Sequence, residues 1–117
     1  MVNIMTTSIL TSIKKLLGVD EADVSFDLDI AMHINSAFFT LNQLGIGPSV
    51  GYSISNKIAI WSDFIGSAKD LEAIKTYVYL KTRLVFDPPQ MGYLVEAIKS
   101  QITELEWRLN VQIETRS

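Results

Sequence analysis

Apolar residues recur at helical spacing in four segments of the chain. These segments are predicted to be helices, and they cover residues 6–17, 26–44, 69–86 and 88–110. Thr6 or Thr7 is expected to cap the start of the first helix, and Gly18 is expected to end it. Ser25 is expected to cap the second helix, which ends at Gly45. The pattern therefore predicts a mainly all-α bundle of four to five helices.

A fifth segment, residues 51–65, has a different pattern. Tyr52, Ile54, Ile58 and Ile60 are separated by even numbers of positions, with mostly polar residues between them. Alternation of this kind is typical of strands, and a polar turn interrupts it at residues 55–57. We therefore expect a short β-hairpin or an extended loop around residues 51–60, followed by one helical turn beginning at Trp61.

The segment at residues 69–86 is ambiguous in its local preferences, whereas the last segment, residues 88–110, has a clear packing face. Residues 77–86 are rich in strand formers, but the length of the whole segment favours a helix. In the last segment the apolar residues are spaced 3, 4, 3 and 4 apart, and they are Val95, Ile98, Ile102, Leu105 and Leu109. This two-heptad seam predicts that the last helix packs along another helix.

The two ends of the last segment carry further expectations. Asp87 is expected to cap this helix, with Pro88 as its first residue. Glu104 and Arg108 are one turn apart and are expected to pair. Val111 and Ile113 alternate with polar residues, which predicts an extended tail that can add to the sheet edge of a neighbouring chain.

Composition narrows the class of protein. The 117 residues fit a single domain, residues 1–117, and no cysteine is present for a disulfide or a thiolate–metal site. The net charge of −3 argues against a nucleic-acid binder, which usually carries a basic face. No apolar run reaches the roughly 18 residues that span a bilayer, and the N-terminus lacks a signal-peptide layout.

The side chains offer little chemistry. His33 lies one turn after Asp29, but two ligands do not make a metal site, because catalytic zinc usually has three protein ligands. An acidic group does not fit the spacing of an EF-hand loop, and it comprises Asp20, Glu21, Asp23, Asp27 and Asp29. We expect no catalytic residue, no metal and no other cofactor, no small-molecule substrate, and therefore no enzyme.

The two tryptophans are candidates for contacts with other chains. Tryptophan is enriched at protein interfaces, although Trp61 and Trp107 could equally fill the core of the domain. Trp107 lies two positions from both Leu105 and Leu109, so it projects away from the heptad seam. This placement favours an interface for Trp107, while Trp61 and Phe64 are expected to help order the loop before them.

Several short motifs, taken in order, resemble the small head-tail connector proteins of tailed bacteriophages, also described as DNA-packaging proteins. The most specific are Trp61-Ser62-Asp63-Phe64-Ile65, Lys75-Thr76-Tyr77-Val78-Tyr79-Leu80-Lys81, Phe86-Asp87-Pro88-Pro89 and Glu106-Trp107-Arg108-Leu109-Asn110. Earlier motifs are Lys14-Lys15-Leu16-Leu17-Gly18, Phe26-Asp27-Leu28-Asp29-Ile30, Ile34-Asn35-Ser36-Ala37 and Asn42-Gln43-Leu44-Gly45. The family often has an arginine where Gly45 stands, so a contact made by that arginine is in doubt here.

The resemblance implies a helical subunit that forms a homo-oligomeric ring in the virion neck, after assembly in the host cytoplasm. The ring would lie beneath the portal and join the DNA-filled head to tail or head-closure proteins. DNA would pass through its centre without specific binding, which suits a mildly acidic chain.

Two other functions stay open from the sequence. One is a tail-completion or assembly chaperone-like protein, and the other is a terminase-like DNA-binding accessory factor for packaging. For the connector function, we place the subunit contacts on the loop and the C-terminal helix and tail. The candidate interface residues are Tyr52, Ile54, Trp61, Phe64, Trp107, Arg108, Val111 and Ile113.

Overall fold

The computed structural model of the protein describes residues 4–65 and 70–116, with side chains described at 5–65 and 70–111. A short 3₁₀ turn, Ile4–Thr6, precedes five α-helices. These are α1 (Ile9–Leu17), α2 (Asp27–Gln43), α3 (Trp61–Phe64), α4 (Leu71–Phe86) and α5 (Gly92–Arg116). The all-α fold class is therefore confirmed. Residues 77–86, which are rich in strand formers, are helical, as the length of their segment predicted.

Helix α1 ends as expected but begins later than expected. Ser8, not Thr6 or Thr7, is its N-cap, because the Ser8 hydroxyl accepts a 3.2 Å hydrogen bond from the Thr11 amide. Gly18 ends the helix with φ 79°, in the left-handed region that only glycine enters at little cost. The polar run at residues 6–8 offered three residues able to cap a helix, and local pattern alone did not distinguish them.

Helix α2 lacks the serine cap that the sequence suggested. The Ser25 side chain bonds Asp23 instead, and Phe26 holds the N-cap position without a side-chain hydrogen bond. The Asp27 carboxylate forms an ion pair with the buried ammonium of Lys14, and the atoms Oδ1 and Nζ are 2.8 Å apart. Lys14 therefore crosses from α1 to the start of α2 and fixes the connection between them.

Both predicted ends of α5 are wrong. The helix begins at Gly92, and Pro88 is not its first residue. Pro89 is the cause, because the residue before a proline is pushed out of the helical region. At the other end the chain remains helical to Arg116, so the tail around Val111 and Ile113 is not extended. The alternation of apolar and polar residues at 110–114 is short and contains no glycine or proline, so α5 continues through it.

Helix α4 lies between α2 and α5 and contacts both. In the contact between α2 and α4, the Phe26 and Phe86 rings meet edge to face, with their centroids 5.5 Å apart. Because Phe26 lies at the start of α2 and Phe86 at the end of α4, the two helices are antiparallel. The predicted seam of α5 packs on α4, with Ile98, Ile102 and Leu109 buried. Because α5 is also antiparallel to α4, helices α2 and α5 run in the same direction.

The segment before α3 is an extended loop and not a hairpin. Within the described residues it makes one isolated antiparallel bridge, between Ile60 and Ser8. The Ile9 amide donates to the Ala59 carbonyl at 3.0 Å, and the Trp61 amide donates to the Thr7 carbonyl at 3.3 Å. The extended-loop alternative is thus the correct one, and the loop returns to the start of α1.

Candidate assembly surfaces

The loop residues expected at an interface form an aromatic cluster around Phe38 of α2. The Phe64 ring stacks on Phe38 at 4.4 Å, Tyr52 meets Phe38 edge to face at 5.4 Å, and Trp61 lies at 6.4 Å. Trp61 is fully buried, Phe64 and Ile54 are buried, and Tyr52 is half-buried. In this subunit their apolar surface is covered by the chain itself.

Burial also governs the chemistry of Tyr52. Desolvation raises the pKa of the Tyr52 phenol above its usual value of 10.0, and the Asp63 carboxylate raises it further. Tyr52 therefore carries a neutral hydroxyl at neutral pH. This side chain acts as an aromatic packing element beside Phe64, whose ring lies 5.5 Å away.

Side-chain amides on α2 hold this loop in place. Asn35 Nδ2 donates to the Ile54 carbonyl at 2.8 Å, and Asn35 Oδ1 accepts from the Ile54 amide at 2.7 Å. Asn42 Nδ2 donates to the Pro48 carbonyl at 3.0 Å. Both asparagines thus satisfy backbone groups that a loop without sheet partners would leave unpaired. Each of the two asparagines belongs to one of the sequence motifs on α2.

Two further hydrogen bonds fix the turn at α3. The Asp63 carboxylate accepts from the Ile60 amide at 3.1 Å, and Trp61 Nε1 donates to the Ser12 hydroxyl at 3.3 Å. The Trp61 indole is therefore both packed and hydrogen-bonded within its own chain. That Trp61 and Phe64 order the loop for assembly stays a prediction.

The predicted residues at the C-terminal end occupy a different environment. Trp107 is 65% exposed, and Arg108 pairs with Glu104 at 2.9 Å, as its spacing predicted. Val111 lies at the surface on the same helix. The backbone of Ile113 lies in α5, and its side chain falls outside the described residues. The structure therefore separates the predicted site into a buried loop cluster and an exposed surface on α5.

A second exposed apolar face lies on α2 and was not expected from the sequence. Leu28, Met32 and Phe39 are 80%, 60% and 64% exposed, and their spacing places them on one side of the helix. We call these three residues the α2 stripe. Their spacing of four and seven positions was a visible signal, but they are interleaved with the stronger buried stripe of the same helix.

A partly buried hydrogen bond connects the motif at residues 75–81 with the motif at residues 106–110. The Tyr77 hydroxyl donates to Glu106 Oε2 at 2.6 Å, which joins α4 to α5. Burial raises the pKa of Tyr77 far above 10.0, and the hydrogen bond and negative charge of Glu106 add to the shift. Glu106 therefore holds α5 at a fixed register on α4, and with it the position of Trp107.

The described residues do not assemble a metal centre. Among residues 4–65 and 70–116, no group of three or more His, Cys, Asp or Glu side chains could hold a metal ion. No helix in this part of the chain is both long and apolar enough to cross a membrane. What the structure offers instead is apolar surface on two helices, which is typical of a protein that binds other chains.

The fold defines a small all-α protein with exposed apolar side chains on two of its helices. The model of the phage connector protein family matches residues 9–116, which is nearly the whole chain. The chain therefore belongs to the phage connector proteins, a family of structural proteins of bacteriophage virions. A comparison with curated proteins finds no match, and a comparison with solved structures finds none either.

Proposed function

We propose that this protein is the head-tail connector subunit of a tailed bacteriophage and forms a ring beneath the portal. The observation that carries the proposal is the match to the phage connector family across residues 9–116. In this function residues 1–117 act as one domain, without cofactor or catalysis. The ring joins the DNA-filled head to the tail or head-closure proteins, and DNA passes through its centre.

The exposed apolar surface supports an assembling subunit. Several large side chains on α2 and α5 have more than half of their surface exposed in the single chain, among them Phe39, Tyr93 and Trp107. Soluble proteins that remain monomeric rarely expose contiguous apolar patches larger than a few hundred Å². Contacts with sister subunits, the portal and neck proteins would remove this surface from water.

Charge supports passage of DNA without tight binding. The chain carries a net charge of −3, and α2 contains no lysine or arginine. A channel that released DNA slowly would delay ejection, and a strongly basic lining would hold the phosphates. A mildly acidic subunit avoids that retention.

The proposal is tested by measuring the mass of the purified protein by native mass spectrometry, alone and with the portal protein. A connector gives a closed multimer of one defined copy number, either alone or on the portal. A chaperone-like protein would instead give a complex with one partner and no ring. Salt-dependent binding to duplex DNA, without a ring, would favour the packaging accessory factor and contradict the connector function.

A further inference from the structure

Helix α5 carries an exposed stripe opposite the seam that packs on α4. Its residues are spaced 4, 3, 4, 3 and 4 apart, and they are Tyr93, Ala97, Ser100, Glu104, Trp107 and Val111. We call this set the α5 stripe. Each member lies at the surface, and Tyr93 and Trp107 are 70% and 65% exposed. A heptad spacing on the outer face is the pattern by which one helix receives another.

The two stripes have complementary shapes. The α2 stripe consists of large side chains, Leu28, Met32 and Phe39. Ala97 and Ser100 are the small members of the α5 stripe, and they lie between Tyr93 on one side and Glu104 and Trp107 on the other. Large side chains of one helix fill the space above small residues of another, which lets the helix axes approach closely.

The stripes are also compatible in charge. The α2 stripe is uncharged, and the residues between Met32 and Phe39 on its side are Asn35 and Ser36. The single charged member of the α5 stripe, Glu104, is neutralised by the Arg108 guanidinium at 2.9 Å. Charged residues are depleted at the centres of protein interfaces, and Glu104 is the exception in the two stripes.

The stripes lie on different sides of the subunit. Helix α4 is positioned between α2 and α5, and each stripe lies on the side of its helix away from the buried residues. A subunit with two different, mutually fitting surfaces on different sides forms a heterologous contact, in which each copy uses one surface for each neighbour. Contacts of this kind close into a ring when the rotation is suitable.

The exposed area is sufficient for such a contact. At these exposures and ordinary side-chain areas, each stripe presents roughly 400 Å² of apolar surface. One side of a standard interface buries about 800 Å², of which a little more than half is apolar. Each stripe therefore supplies most of the apolar area that a stable contact needs. Trp107 adds a tryptophan, a residue type enriched among those that dominate the binding energy of an interface.

We infer that the α2 stripe of one subunit packs on the α5 stripe of a second copy. The contact repeats around the ring, so this inference rests on the proposed ring function and names the two surfaces that form it. One of the two large side chains, Met32 or Phe39, lies over the small pair Ala97 and Ser100, because seven residues of helix span about 10 Å and three span about 5 Å. Tyr93 and Trp107 flank the contact.

The chain has no cysteine, so paired cysteines test this contact directly. Met32→Cys and Ser100→Cys are made singly and together, because both side chains are exposed and neither substitution removes a core residue. The assembled protein, with portal if the ring requires it, is treated with a short bis-maleimide cross-linker. A second pair, Phe39→Cys with Ala97→Cys, tests a different register of α2 on α5. Lys57→Cys with Ser100→Cys is the control off the α2 stripe.

The heterologous contact predicts a distinctive pattern on a denaturing gel. The double variant yields a ladder up to the full ring, each single variant remains monomeric, and a mixture of the two single variants gives dimers only. The control pair gives no ladder.

Other outcomes overturn the inference in distinguishable ways. Dimers from Ser100→Cys alone would show that α5 meets α5 symmetrically. A ring of normal mass in which neither stripe pair cross-links would place the contact elsewhere while the ring function stands. If no ring forms alone or with the portal, the proposed function fails, and this contact fails with it.

Discussion

The ammonium nitrogen of Lys14 lies 2.8 Å from Oδ1 of Asp27, although Lys14 is only 3% exposed. The same nitrogen donates to the carbonyl oxygens of Glu21 and Asp23, at 3.1 and 2.8 Å. The lysine therefore has two carbonyl acceptors and a carboxylate counter-ion, which is the condition under which a buried ammonium is tolerated. Lys14 and Asp27 lie in separate sequence motifs, so this ion pair joins the two motifs.

Replacing Lys14 should destabilise the fold. Lys14→Met leaves a partly buried carboxylate and two carbonyls without their donor, and we expect the free energy of unfolding to fall by about 2–3 kcal/mol. Urea denaturation followed by circular dichroism measures the change. Lys15→Met is the matched control, because the neighbouring Lys15 side chain is exposed. Equal stability of the two variants would contradict the structural role of Lys14.

A side chain at Gly47 would be unfavourable both for its backbone conformation and for the space available. A substitution at Gly51 measures the conformational cost by itself. Both have positive φ, at 84° and 92°, but a Cβ at Gly47 would overlap the Phe64 ring, whereas one at Gly51 meets nothing within 4 Å. We expect Gly51→Ala to cost about 1–2 kcal/mol from backbone conformation alone. Gly47→Ala should cost about 1–3 kcal/mol more, because it displaces Phe64 from its stack on Phe38. Thermal unfolding compares them, and equal losses would rule out the steric contribution.

The two tryptophans should respond in opposite ways. Trp61→Ala empties a fully buried site and should lower the free energy of unfolding by about 3–5 kcal/mol. Trp107→Ala removes an exposed side chain and should change it by no more than about 0.5 kcal/mol. Assembly, measured by native mass spectrometry, should nevertheless be weakened by Trp107→Ala. A stable Trp107→Ala variant that assembles normally would exclude Trp107 from the subunit contact.

Alkaline pH should weaken the contact between α4 and α5. The folded protein holds the pKa of Tyr77 above its unfolded value of 10.0, so folding favours the protonated phenol. The resulting stabilisation is complete below pH 10 and is lost as the pH rises through the raised pKa. Unfolding free energy, measured by denaturant titration across this range, should therefore fall.

Tyr77→Phe provides the test of that assignment. The variant lacks the phenol and should show a smaller alkaline loss than the parent protein, together with a lower stability at neutral pH from the missing bond to Glu106. Tyr93→Phe, at an exposed tyrosine, controls for loss of a phenol group. A parent-like alkaline loss in Tyr77→Phe would assign the effect to another residue.

The sequence predicted the helices well because their apolar periodicity extends over several turns. The buried seam of α5, including Ile98, Ile102 and Leu109, followed from that periodicity alone. Helix ends were less accurate, because several residues compete for each cap. At the start of α5 the effect of Pro89 on Pro88 outweighed the apparent capping pattern.

The candidate surfaces were harder to predict because burial depends on contacts between distant residues. The loop aromatics were expected at an interface, and in the single chain they pack on α2, because Asn35 binds the Ile54 backbone from 19 positions away and Tyr52 lies against Phe38. Their contact with another chain stays a prediction. The alternation of apolar and polar residues in the loop does not show that the loop packs back onto α2. The α2 stripe was missed for a related reason. Apolar residues lie on two faces of α2, and the sequence alone does not show which face is covered by other helices.

Electron microscopy of the neck in purified virions tests whether this chain forms the ring that joins head and tail. We expect a ring of this chain between the portal and the tail, with α4 of each copy between its α2 and α5 helices and an open channel occupied by DNA. A well-resolved neck in which every ring is built from other polypeptides, with this chain absent from the particle, would contradict it.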